Sequence, residues 1–151
     1  MLKESDKAPD IRVLTDAGEE FQLSSLKGKR VVLYFYPRAD TPGCTIEACE
    51  FRDGFKAFSK KGAIIVGVSP DKPAAQAKFK QKYGLAFSLL ADEEKAAAKA
   101  YGVWREKNMY GKKVMGIVRT TFVIGPDSKI ERIYDNVKAK GHAGEVLAGL
   151  N

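Results

Sequence analysis

The chain has 151 residues, 44% of them hydrophobic and 30% charged, which is the composition of a globular protein able to bury a hydrophobic core. No apolar run approaches the roughly 18 residues of a membrane-spanning helix, and the polar start from Met1 to Lys7 argues against a signal peptide. The net charge of +7 comes from lysines spread along the chain rather than from one basic block, so we expect a solvated basic surface and no nucleic-acid site.

The first part of the chain predicts strands that alternate with helices. Strands are predicted where short apolar runs rich in β-branched residues occur, at Val31–Tyr36, Ala63–Ser69 and Leu89–Leu90. Before them, Asp10 to Leu14 and Phe21 to Leu23 flank a glycine-containing turn and predict a hairpin. Helices are predicted from Thr41 to a stop at Gly62, from Asp71 to Tyr83 and from Asp92 to Tyr101.

The second part has a different pattern. Trp104 to Lys113 is polar and contains a glycine, which predicts a loop. Ile117 to Ile124 and Lys129 to Tyr134 predict an antiparallel hairpin, and a last helix is predicted from Gly141 to Leu150. The order β-α-β and then β-β-α predicts an α/β protein of the thioredoxin-like fold, with a central mixed β-sheet flanked by helices and an N-terminal β-hairpin.

Cys44 lies just after a buried strand, at the start of a helix. Thr41 suits the N-cap and Pro42 the first helical position, which places Gly43 and Cys44 in the first turn. The amides of this turn have no partner within the helix and lie at the positive end of its dipole. A thiol at such a position ionises more readily than a free thiol, and the same amides can hold an oxygen atom. The pattern predicts a reactive cysteine.

Cys49 lies on a different side of this helix. At ~100° per residue, the apolar stripe lies close to Cys44, whereas Cys49 is about 140° away on the polar flank. Residues five apart on a helix have Cα atoms about 8.7 Å apart, but a disulfide needs at most about 7 Å. A bond between the two cysteines would therefore require the first turns of the helix to unwind.

Arg119 stands in an apolar run and needs an anionic partner. On the predicted strand it shares a face with Ile117 and Thr121. A thiolate would be one suitable partner, and a carboxylate in a structural ion pair would be another. Glu47, about 60° from Cys44 around the helix, could pair with this arginine.

Three segments resemble the peroxiredoxin family. The pattern Pro37-x-x-x-Thr41-x-x-Cys44 resembles its active-site motif. A second cysteine five residues later resembles the bacterioferritin comigratory, or Q-type, branch, and Gly116 to Phe122 resembles the strand that carries the family's arginine. The resemblance extends from Asp10 to Leu150.

This resemblance implies a thiol peroxidase of the atypical two-cysteine type that reduces hydrogen peroxide and organic hydroperoxides. Cys44 would be the peroxidatic nucleophile and Cys49 the resolving cysteine, joined after oxidation in an intramolecular disulfide that thioredoxin or a glutaredoxin-type protein reduces. The peroxide would be held by Thr41, Arg119 and the amides of Gly43 and Cys44, with Pro37 shielding the sulfur and Glu47 in support. The resemblance also implies a monomer.

Other aspects follow from the residues alone. Two cysteines suit a reducing compartment, so a cytoplasmic protein is expected. A chain of this length is expected to form a single domain over residues 1–151. His142 and the two cysteines do not have the spacing of zinc ligands, and no metal, haem or flavin is expected. A thiol-disulfide oxidoreductase without peroxidase activity remains an alternative, although two residues usually separate its cysteines and here there are four. A binding module that uses the basic surface is a further alternative.

Overall fold

The computed structural model describes residues 1–150. Its strands are β1 (Arg12–Thr15), β2 (Glu20–Gln22), β3 (Arg30–Phe35), β4 (Ala63–Ser69), β5 (Ser88–Ala91), β6 (Trp104–Met109), β7 (Lys112–Ile117), β8 (Thr120–Ile124) and β9 (Ile130–Tyr134). Its helices are α1 (Pro42–Asp53), α2 (Phe55–Lys60), α3 (Pro73–Tyr83), α4 (Ala96–Ala100) and α5 (His142–Ala148), and a short 3₁₀ helix spans Leu23–Leu26. No helix in this part of the chain is long and apolar enough to cross a membrane.

A seven-stranded mixed sheet forms the centre of the molecule. Its order is β2-β1-β5-β4-β3-β8-β9, in which β5, β4 and β3 run parallel and the other pairs are antiparallel. The predicted hairpin is β1–β2, which forms one edge. The predicted thioredoxin-like arrangement, with a mixed sheet between helices, is therefore confirmed.

Strand β3 carries core residues on both of its faces. Val31, Leu33 and Phe35 pack in a cluster that includes residues of α4. Val32 and Tyr34 pack in a second cluster with residues of α1, α2, α3 and α5. Because successive side chains of a strand point to opposite faces, a strand buried on both sides must be apolar throughout. Cys44 belongs to the second cluster, directly above this strand.

The helix predicted from Thr41 to Gly62 is in fact two helices. Helix α1 ends at Asp53, Gly54 has φ −87° and ψ 0°, and α2 begins at Phe55. Glycine destabilises the interior of a helix relative to most other residues, because it loses more backbone freedom there. The apolar spacing was correct, since Phe51 and Phe58 are both buried, but the glycine divides the segment into two helices.

The loop predicted over Trp104 to Lys113 was wrong, because this segment is part of a β-hairpin. Strands β6 and β7 pair from Trp104↔Ile117 to Met109↔Lys112 and form a separate two-stranded sheet. Tyr110 and Gly111 form its turn with φ 52° and 78°, the combination that two-residue hairpin turns require. Most side chains of this hairpin are exposed, so its sequence lacks the alternation of apolar and polar residues that marks a half-buried strand.

The strand predicted from Ile117 to Ile124 is interrupted, which changes the position of Arg119. Strand β7 ends at Ile117 and β8 begins at Thr120. Val118 donates its amide to Val103, and the carbonyl of Arg119 accepts from Val137, so neither residue continues the ladder. Arg119 therefore lies in the two-residue link between the small sheet and the main sheet.

Candidate active site

Cys44 occupies the third position of α1 and is 2% exposed. Thr41 has the extended backbone of an N-cap residue, with φ −94° and ψ 158°, and Pro42 is the first helical residue. The hydroxyl of Thr41 does not cap the helix but donates to the carbonyl of Arg38 at 2.9 Å. The amides of Gly43 and Cys44 thus belong to a first turn where no helical carbonyl is available to them.

The guanidinium of Arg119 joins the thiol to a carboxylate. Its Nη2 donates to the Sγ of Cys44 at 3.4 Å, and its Nη1 donates to Oε1 of Glu47 at 2.6 Å. The side chain of Arg119 is 15% exposed, and Gly43 gives it room, since a Cβ atom on Gly43 would lie 3.1 Å from Nη2. The sequence required one anionic partner for this arginine, and the structure provides both a thiol and a carboxylate.

Glu47 is fully buried one helical turn after Cys44. Burial raises the pKa of this carboxyl to about 7, although the charge of Arg119 opposes the shift. Its second oxygen, Oε2, has no hydrogen-bond partner among the described residues. At neutral pH the group is therefore close to the balance between its protonated and ionised forms.

Cys49 is half-buried and unbonded, and Cys44 is likewise a free thiol. Helix α1 is continuous from Pro42 to Asp53, so the two cysteines keep the helical separation of about 8.7 Å between their Cα atoms. The structure is thus of the reduced protein, and a bond between the two sulfurs would break the helix.

The loop before the helix is fixed by contacts that the sequence did not reveal. Pro37 is half-buried, and Asp40 adopts a left-handed conformation with φ 58°, which aspartate tolerates better than most residues. The carboxylate of Asp40 accepts from Lys82 at 2.9 Å and from Tyr83 at 2.8 Å, and these hydrogen bonds hold its pKa below the ordinary value. Helix α3 therefore anchors the loop that leads to Cys44.

His142 lies beside α1 but not in a ligand cluster. Its side chain is buried between the hydroxyl of Thr121 at 2.7 Å and the carboxylate of Glu145 at 3.0 Å. Within residues 1–150, no group of three or more histidine, cysteine or acidic side chains could hold a metal ion.

The geometry brings a thiol together with groups that can stabilise negative charge. Cys44, Gly43, Glu47 and Arg119 meet at the start of α1, where Thr41 is the N-cap residue. Pro37 belongs to the loop between β3 and α1, and Cys49 lies about 140° from Cys44 around the helix. Positive charge and free amides favour an ionised sulfur and can hold an oxygen atom next to it.

Comparisons of the sequence with a family model and with known proteins give the same result. The model of the AhpC/TSA family matches residues 5–133. Peroxiredoxin Bcp of Bacillus subtilis is 47% identical over 144 residues, which are 95% of this chain and 92% of that protein.

Solved structures give the same result. A cysteine-to-serine mutant of PrxQ from Xylella fastidiosa has a TM-score of 0.94 at 34% identity, covering 99% of this chain and 96% of that one. The bacterioferritin comigratory protein of Xanthomonas campestris was solved in a study of its alkyl peroxide reduction activity. It has a TM-score of 0.88 at 40% identity, covering 93% of this chain and 89% of that one.

Proposed function

Because the chain belongs to the AhpC/TSA family, among the Bcp or Q-type peroxiredoxins, we propose that Cys44 is the peroxidatic nucleophile of its active site. The protein is a thiol-dependent peroxidase, an oxidoreductase that acts on peroxides with electrons from a thiol reductant. The observation that carries the residue assignment is the hydrogen bond from Arg119 to the Sγ of Cys44 at the start of α1.

In the first step the thiolate of Cys44 attacks one oxygen of hydrogen peroxide or of an alkyl hydroperoxide. A bond forms between sulfur and that oxygen, the O–O bond breaks, and the leaving oxygen takes a proton and departs as water or an alcohol. Arg119 and the amides of Gly43 and Cys44 stabilise the charge that moves onto the leaving oxygen. The sulfur becomes a sulfenic acid.

Thr41, Glu47 and Pro37 have supporting roles in this step. The hydroxyl of Thr41 donates to Arg38, so its oxygen is still able to accept a hydrogen bond from the peroxide. Glu47 fixes the guanidinium of Arg119 through Nη1 and leaves Nη2 directed at the sulfur. Pro37 limits the access of water to the sulfur.

In the second step Cys49 resolves the sulfenic acid. The first turns of α1 unwind, the sulfur of Cys49 attacks that of Cys44, and a disulfide forms as water leaves. A dithiol protein, thioredoxin or of the glutaredoxin type, then reduces this disulfide and returns both thiols. The protein acts as a single-domain monomer in the cytoplasm, where two free cysteines suit the reducing conditions.

Mass spectrometry of the protein after one equivalent of peroxide tests this scheme. The wild-type protein is expected to lose two hydrogens through a bond between Cys44 and Cys49, and Cys49→Ser is expected to gain one oxygen at Cys44. Cys44→Ser should consume no peroxide. Full peroxide consumption by Cys44→Ser would contradict the assignment, and insulin reduction without peroxide consumption would favour a thiol-disulfide oxidoreductase instead.

A further inference from the structure

The β6–β7 hairpin places a lysine on the side of the active site. Lys107 pairs with Val114 across the hairpin, and Arg105 pairs with Gly116. Since directly opposed residues point to the same face and faces alternate along a strand, Lys107, Val114 and Gly116 share one face. Lys113 lies on the other face of the same hairpin.

The side chain of Lys107 extends along this face over Gly116, which precedes Arg119 by three residues. A Cβ atom on Gly116 would lie 3.0 Å from Cδ of Lys107 and 3.8 Å from its Nζ, so the lysine stem crosses directly over the glycine. Gly116 is two residues closer to Arg119 along β7 than Val114, the direct partner of Lys107, is. The missing side chain at Gly116 therefore leaves room for the lysine stem on the part of the hairpin that leads to Arg119.

Electrostatics agree with this direction. Desolvation and then the charge of Arg119 lower the pKa of Lys107, while Cys44 acts in the opposite sense. Lys107 is half-buried, and no carboxylate among residues 1–150 forms an ion pair with it. Lys107 and Asp135 both line a groove of about 530 Å³. The carboxylate of Asp135 is paired with Arg105 instead, at 2.5 Å.

We propose that Lys107 is a positioning residue of the peroxidase site, whose ammonium group adds a second positive charge beside Arg119 and so favours the ionised form of Cys44. Two neighbouring cations repel each other, and negative charge on the sulfur relieves that repulsion. Lys107 exchanges no atoms with the peroxide. The proposal deepens the proposed function and depends on Cys44 being the nucleophile.

The test uses the full chain with Cys49→Ser, in which Cys44 is the remaining thiol. Single-turnover oxidation by hydrogen peroxide is measured against pH at low salt for Lys107→Met, Lys107→Arg and the matched control Lys113→Met. Lys113 carries the same charge on the opposite face, with its side chain 81% exposed. Gly116→Ala, whose Cβ would displace the lysine stem, is a second and independent way to move the ammonium group.

Lys107→Met is expected to slow oxidation at neutral pH about three- to tenfold and to move the pH midpoint of the rate upward. Gly116→Ala should shift the midpoint in the same direction, Lys107→Arg should retain most of the rate, and Lys113→Met should match the parent. Added salt should reduce the difference between Lys107→Met and the parent, because it partly screens the charge of the half-buried ammonium group.

An unchanged midpoint in both Lys107→Met and Gly116→Ala would overturn the proposal, whatever happens to the rate. Equal losses in Lys107→Met, Lys107→Arg and Lys113→Met would also overturn it, since they would indicate a structural role of the hairpin. Loss of the nucleophile assignment itself has a different signature, which is full peroxide consumption by Cys44→Ser.

Discussion

At the level of single residues, we expect the reactivity of Cys44 to depend on how Arg119 divides its hydrogen bonds. One nitrogen contacts the sulfur and another contacts the buried carboxylate of Glu47. A planar guanidinium can serve both partners at once, whereas an ammonium group is a single point of charge. The carboxylate thus orients the arginine while neutralising part of its charge, and we expect the helix amides to add to the stabilisation of negative charge on the sulfur.

Arg119→Met should slow the single-turnover reaction with hydrogen peroxide by roughly a hundredfold or more, the usual effect of removing a donor that stabilises developing negative charge. Arg119→Lys should recover only part of this loss, because it cannot bond to both partners. Stopped-flow measurement with Arg12→Met as the control, whose side chain is 62% exposed, gives the comparison. Equal rates for Arg119→Met and Arg12→Met would refute the role of Arg119.

Gly43→Ala tests the close approach between the helix start and the guanidinium. The new Cβ atom would lie 3.1 Å from Nη2 of Arg119, so the arginine must shift by a few tenths of an ångström, which disturbs its contact with the sulfur. We expect a several-fold slower reaction with peroxide. Gly144→Ala is the matched control, because a Cβ atom there meets nothing within 4 Å. If the two variants react equally fast, the position of the guanidinium does not limit the reaction.

At the level of elements, the sequence predicted those whose ends carry strong signals. The observed ends of strand β4 and helix α3 lie within two residues of the predicted ends. Gly62 precedes the strand, and Pro73 and Gly84 mark the two ends of the helix. The β6–β7 hairpin was missed because it projects from the core, so packing does not impose alternation on its side chains.

The same difference explains which residues of the proposed site the sequence predicts. Cys44, Glu47 and Arg119 could be predicted because helix periodicity and an isolated charge in an apolar run mark them. Lys107 was not predicted, because its place beside Gly116 depends on the pairing of β6 with β7, which a polar segment does not reveal. Asp40 was missed because its partners lie on α3, about 40 residues later in the chain.

Hydrogen exchange of helix α1 tests the expected unwinding. In the reduced protein, the amides of α1 should be protected, as expected of a continuous helix. After one equivalent of peroxide, the amides of its first turns should exchange much faster, because the disulfide requires a shorter separation of the two cysteines than the helix allows. Helix α3 serves as the internal control. Equal protection of α1 in both redox states would mean that the bond forms without unwinding.

At the level of the whole molecule, the sheet determines where the thiol lies. Strands β3, β4 and β5 are parallel, so their carboxyl ends lie at the same end of the sheet, and Cys44 follows the carboxyl end of β3 there. Open parallel sheets commonly place functional groups beyond the carboxyl ends of their strands. The antiparallel strand β8, next to β3, begins just after Arg119 and brings the guanidinium to the same place.

Glu47 should make the stability of the fold depend on pH. Its pKa rises from an ordinary 4.5 to about 7 on folding, so the folded protein binds more protons between these values and loses stability as the pH rises through them. The loss is on the order of 3 kcal/mol at most and is complete above about pH 7. Urea unfolding of the wild type and of Glu47→Gln should show this difference.

Other groups cancel in that comparison. The pKa of His142 is lowered by burial, so it costs stability at acidic pH, but it does so equally in both proteins. Glu20→Gln, at a side chain that is 64% exposed, is the control and should follow the wild type. Parallel pH profiles for the wild type and Glu47→Gln would show that the buried carboxyl does not titrate as described.

The most direct test of the account is the rate at which Cys44 reacts with hydrogen peroxide at neutral pH, measured by stopped flow in the Cys49→Ser protein. The contact with Arg119 and the free amides at the helix start should make the folded protein react roughly a hundredfold faster, or more, than the same protein unfolded in urea. Cys44→Ser in the same background gives the baseline. Equal rates for the folded protein and for the unfolded protein would contradict the account.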